Sequence, residues 1–204
     1  MKKTVKKILF GAVMVALLAV FVYSAYSLVD YYIDSKENED TYEDLAQLLV
    51  DRPTIPLPPP SVPNEDVTEP TETEPEQVLI TVRDPETGET MQVLPEYAQL
   101  YTMNPDLVGW ISIDGTKINY PVVQSSLDNP NYYLERNFEG KYSVHGCIYA
   151  NEAADVFKPS DNVTLYGHRM SDHSMFAQLG LYIDKSFWED HQYVRFDTLQ
   201  VYRP

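Results

Sequence analysis

Five side chains in this sequence could carry proton transfer or nucleophilic attack: His145, His168, His173, His191 and the single thiol, Cys147. Imidazole titrates near neutral pH and serves as general acid, general base or metal ligand. A zinc site needs three or four converging N, S or carboxylate donors, and there is no HExxH and no CxxC here. No metal and no cofactor is expected. His168 differs from the other three, because in YGHRMSDHSMF it follows an apolar alternation (Val163, Leu165) and a glycine. A histidine at a strand end, opening a polar loop, is placed where a general acid or base meets both solvent and substrate. Cys147, in HGCIYAN, shares a strand face with His145 and Tyr149. Side chains two apart on a strand lie about 6–7 Å from one another, too far for the hydrogen bond that would activate the thiol. Free cysteines are also among the most buried residue types, so Cys147 reads as core.

The elements that must position His168 are short runs of Trp, Tyr, Val and Ile between turn residues. Residues 78–94 (VLITVRD, PETG, ETMQVL) pair as a small hairpin or pack as an N-terminal arm. PEYAQLYTM predicts a helix that ends before Asn104-Pro105. LVGWISI and KINYPVVQ flank an Asp114-Gly115 turn, and Pro121 puts the second run on a sheet edge or at a bulge. Residues 145–151, 162–168 and 193–198 are further strands, and another would begin at Gln200-Val201-Tyr202. MFAQLGLYIDKSFWEDH spaces Met175, Leu179, Tyr182 and Phe187 at helical intervals, with a break near Gly180. The sum is a mostly β fold, an antiparallel barrel or sandwich with short helices.

Ahead of this domain the sequence has a different character. Ile8 to Val29 are 22 residues without a charge, enough to cross a hydrocarbon core of about 30 Å. Lys2, Lys3, Lys6 and Lys7 precede them, so the positive-inside rule puts the N-terminus in the cytoplasm and the rest outside. The length exceeds a signal-peptide core, so an uncleaved signal-anchor is expected, although Ser24, Ala25 and Ser27 would permit cleavage. Residues 30–76 hold 14 acidic and 2 basic residues, and 8 of the 15 prolines fall between Pro53 and Pro75. This composition predicts a disordered, self-repelling stalk, begun at most by a short helix from Tyr42 to Val50. The expected organisation is therefore 1–7 basic tail, 8–29 transmembrane anchor, 30–77 stalk and 78–204 folded domain. A net charge of −16 with no basic cluster beyond residue 7 argues against nucleic-acid binding. One cysteine excludes a disulfide framework.

The strings YPVVQ, DNPNYYL, GCIYAN, YGHRM and MFAQL occur in one order within Asn104 to Thr198, and together they resemble a class B sortase. The resemblance implies an eight-stranded β-barrel and a cysteine transpeptidase, tethered to Gram-positive cell membranes, that cuts a C-terminal sorting motif of secreted proteins. The acyl-enzyme is then resolved by an amino group of a peptidoglycan precursor. It implies His168 as the catalytic histidine. The family's nucleophilic Cys ends a later strand and its Arg lies on the next one, so neither is expected within these residues. Cys147, Arg169, Arg195 and Arg203 match no catalytic position. The expectation is thus an incomplete sortase barrel, C-terminally truncated and inactive as a transpeptidase. Two alternatives stand beside it. One is a non-catalytic, membrane-tethered remnant that binds sorting peptides or a partner protein. The other is a Cys147/His168 hydrolase on another fold, which requires those side chains to meet at about 3 Å.

Overall fold

A computed structural model describes residues 2–49, 78–84, 87–157 and 162–200. The chain divides into two compact units, Met1–Glu37 and Asn38–Pro204. The first unit is the greater part of helix α1, which runs Lys2–Gln47. Its apolar side chains are exposed all round, Phe21 at 70% and Leu28 at 71%. An 18-residue window of the helix has a mean hydropathy of 2.5 with nothing buried. A helix apolar on every face suits hydrocarbon rather than water, and its length suffices for a membrane span.

The second unit opens with the last turns of α1. Residues 30–47, which composition placed in the disordered stalk, continue the helix instead. The reason is a stripe of Asn38, Tyr42 and Leu45 on one face of the helix, continued by Leu49 in the turn after it, all buried in this unit. An acidic composition hid an amphipathic face. The proline-rich run 50–77 lies outside the described residues, as do 201–204, where a further strand was expected to continue.

Strands β1 (Ile80–Arg83) and β2 (Thr90–Val93) pair as the expected hairpin, a sheet of their own. A 3₁₀ turn, Pro95–Tyr97, leads into helix α2, Ala98–Met103. The remaining strands are β3 (Leu107–Ser112), β4 (Asn119–Val123), β5 (Ile148–Ala150), β6 (Leu165–Tyr166) and β7 (Arg195–Thr198). They form one sheet in the order β6-β5-β4-β3-β7, antiparallel except for β4 and β5. Among the described residues this sheet is open, and no closed barrel is formed.

The β3–β4 hairpin turns where expected, with Gly115 at φ 73° and the Ile113 N–H donating to Ile118. Pro121, however, sits on an interior strand. It is tolerated because β4 pairs with β5 only from Val122 onward, so no partner there calls for an N–H at position 121. β3 is buried along nearly its whole length, which explains its unbroken apolar run LVGWI. Trp110 is fully buried, and its indole N–H donates to Asn119 Oδ1 at 2.7 Å. Gly180 does not break the helical stretch. It lies inside a 3₁₀ helix, Phe176–Ile183, and the break falls at Asp184, whose carboxylate caps α3 (Lys185–Asp190) by accepting from the Ser186 N–H.

The end of α1 is thus part of the core, and Leu45→Ala should lower stability by about 2–5 kcal/mol in urea unfolding of the full chain in detergent. Leu18→Ala, at a position 62% exposed in the first unit, should leave the same transition in place.

Candidate functional site

β6 delivers His168 to the surface through one constrained residue. A Cβ on Gly167 would meet the Ile148 Cδ1 and the Phe176 ring, so a larger residue there would have to displace those two side chains. The next carbonyl, of His168, accepts from the Phe176 N–H at 2.9 Å. The His168 ring is half-buried, and its Nε2 lies 2.7 Å from the carbonyl oxygen of Leu134. A carbonyl only accepts, so Nε2 carries the proton and Nδ1 is the bare, basic nitrogen of the neutral ring. An imidazole with one nitrogen anchored and the other able to take up a proton is equipped for general acid–base chemistry.

Leu134 belongs to a 3₁₀ turn, Tyr132–Glu135, from the YYL string. The carbonyl of Tyr133 in this turn accepts from the Cys147 N–H at 3.0 Å. Between the two carbonyls and β5 lies Gly146, at φ 60°, where a Cβ would run into both of them. Three strings far apart in sequence, YYL, GCIYA and YGH, therefore meet around one turn, with His168 on its outer side.

Cys147 is held differently. It is 1% exposed, and burial pushes its thiol up to about 12, against smaller opposing contributions from the Tyr42 hydroxyl and the Ile148 N–H. The thiolate is the nucleophilic form, so this sulfur is inert near neutral pH. His145 does not activate it. Its ring is 1% exposed and its Nε2 lies 2.9 Å from Asp172 Oδ2.

No family model matches the chain. It is 28% identical to sortase B of Staphylococcus aureus over 186 residues, 91% of this chain and 62% of that protein. It is 39% identical to sortase B of Listeria monocytogenes over 100 residues, 49% of this chain and 40% of that one. Among solved structures, sortase B of Bacillus anthracis superposes with a TM-score of 0.60 at 28% identity, covering 84% of this chain and 65% of that one. A Staphylococcus aureus sortase B–substrate complex gives a TM-score of 0.50 at 34% identity, covering 54% of this chain and 50% of that one. The chain is a homologue of the class B sortases. It spans 62% of the length of the staphylococcal relative.

Within this sortase homologue the four histidines serve four places. His168 stands at the strand end the sequence indicated. His173 is exposed in the following loop at φ 66°, and His191 stacks on Phe187 at 4.0 Å with its Nδ1–H donating to the Phe187 carbonyl at 2.9 Å. Among the described residues no group of three or more His, Cys, Asp and Glu is suited to a metal. Sequence reasoning missed the Leu134 carbonyl, which no side-chain pattern announces, and Asp172, whose Asp-x-Ser spacing was a legible turn signal. Arg169 is exposed, and Arg195 lies on β7 at 3.8 Å from Asp197.

Thiol reagents near neutral pH should leave native Cys147 unmodified and label it on denaturation, as read by mass spectrometry. The thiol value is raised on folding, so its stabilising contribution is complete below about pH 9 and is lost as pH rises toward 12. Denaturant midpoints should fall across that window, less steeply in Cys147→Ala; buried Tyr42 and Tyr133, also raised by burial, supply the remaining slope.

Proposed function

We propose that this chain is the histidine-bearing part of a class B sortase, a cysteine transpeptidase that cleaves a C-terminal sorting motif of secreted proteins and joins them to a cell-wall amine. The observation that carries the reading is the His168 ring at the end of β6, anchored through Nε2 on Leu134 with Nδ1 left basic. In that reading a thiolate attacks the scissile carbonyl and forms an S–C bond. As the C–N bond breaks, protonated His168 gives its Nδ1 proton to the departing amine. The acceptor amine then attacks the thioester, its proton passes to Nδ1, and the thiolate departs. An arginine steadies the oxyanion in both steps.

Cys147 is not that thiolate, because it is buried with a raised thiol value. The reading assigns the nucleophile and the arginine to no residue of this sequence. In the eight-stranded barrel of the family, β3 to β7 are part of the wall. α1 supplies the tether through residues 8–29, with the lysines at 2, 3, 6 and 7 in the cytoplasm and the domain outside.

The 204-residue polypeptide in detergent, given a fluorogenic sorting peptide and an amine, should show no thiol-dependent cleavage. Reading the gene in frame past the Pro204 codon should reveal a strand ending in Cys and another bearing Arg. In the protein so encoded, His168→Ala should lower kcat/KM by about 10²-fold or more. A stop codon directly after Pro204 would sink the transpeptidase reading and leave a peptide-binding role.

A further inference from the structure

The loop that follows His168 is held in an unfavourable shape. His173 and Met175, neither of them glycine, have φ values of 66° and 53°, in the left-handed region that L side chains rarely adopt. The loop nevertheless closes tightly. Arg169 and Met175 form an antiparallel bridge, and the Phe176 N–H returns to the His168 carbonyl at 2.9 Å. Such a shape persists only where its surroundings over-determine it.

Asp172 supplies much of that constraint. Its Oδ1 accepts from the Ser174 N–H at 3.0 Å and the Ser174 hydroxyl at 2.6 Å. Its Oδ2 meets Nε2 of buried His145 at 2.9 Å. His145 directly precedes Gly146 and Cys147, which press against the carbonyls of Tyr133 and Leu134. Leu134 in turn receives Nε2 of His168. The circuit is closed: the residue bearing the imidazole and the loop behind it are tied to the same buried segment. The Tyr120 hydroxyl adds a tie by accepting from the Met175 N–H at 3.1 Å.

We propose that Asp172, seated on buried His145, is a positioning residue that holds the His168 ring on the Leu134 carbonyl and so selects its Nε2–H tautomer. Loss of the carboxylate releases Ser174, lets the left-handed turn relax, and frees the His168 backbone to move its ring off Leu134. The catalytic meaning of this role rests on the transpeptidase reading. Its spectroscopic signature does not, because it needs no turnover.

The test is the ring-nitrogen NMR spectrum of the full chain in detergent micelles, labelled with ¹⁵N-histidine and correlated through the ring carbon protons. It is recorded roughly two pH units above imidazole's ordinary 6.5. With four histidines the spectrum can be assigned by single substitutions. The wild-type His168 should show one protonated and one bare nitrogen. In Asp172→Ala these two signals should converge toward an average while the backbone amides of β3 and β4 keep their positions. Asp172→Asn should restore the wild-type His168 pattern, since its Oδ1 still accepts from Ser174 and its amide donates to His145 Nε2, switching His145 to the other tautomer. Where Asp172→Ala does not fold, Ser174→Ala in the same half-buried loop should give a partial convergence. A folded Asp172→Ala or Ser174→Ala protein with the wild-type His168 pattern overturns the proposal. Convergence, with His168→Ala leaving kcat/KM unchanged in the protein encoded past the Pro204 codon, would uphold the positioning role and count against the transpeptidase reading alone.

Discussion

Two neighbouring carbonyls, of Tyr133 and Leu134, organise this domain. A 3₁₀ turn leaves carbonyls without intrahelical partners, and these two point at the segment that begins β5. One accepts the Cys147 N–H and thereby fixes where β5 enters the sheet; the other accepts the His168 ring beyond β6. Both lie so close to Gly146 that no other residue fits there without displacing the backbone. The catalytic candidate is thus positioned by backbone geometry, which a side-chain substitution elsewhere cannot easily detune.

Tyrosine hydroxyls carry much of the remaining internal polarity. A buried phenol brings a large apolar ring and one group that must find a partner. Tyr42 donates to the Gly146 carbonyl at 3.0 Å, Tyr133 donates to Asp106 at 2.8 Å, and Tyr120 accepts from the loop behind His168. The rings of Tyr42 and Tyr120 also meet edge to face at 5.2 Å. The last turns of α1 therefore support the segment 143–147 and the loop beyond His168 together. Asn38 adds to this by donating to the Ser143 hydroxyl at 3.3 Å.

Several elements were legible because their signals are local. The β1–β2 and β3–β4 hairpins, helix α2 and the strand leading to His168 follow from alternation, turn residues and a proline boundary. Local signals also misled. Pro121 marks an edge only if the neighbouring ladder needs its N–H, and here pairing with β5 starts one residue later. The acidic residues between 30 and 47 suggested an extended spacer, yet the stripe of Tyr42, Leu45 and Leu49 outweighs them once a core exists to receive it.

By itself the sequence determined the apolar N-terminal run long enough to cross a membrane, the strand-end place of His168 and the kinship carried by its motif strings, all properties of residues near one another in the chain. Only the tertiary structure decided that Cys147 is inert, since a thiol's reactivity depends on the solvent and charge around it rather than on its neighbours in sequence. It likewise decided which nitrogen of His168 holds the proton, and that His145 answers to Asp172, 27 residues away, rather than to the thiol two positions along. Hydrogen bonds of this kind join groups that the chain brings together only by folding, so no periodicity or spacing could announce them.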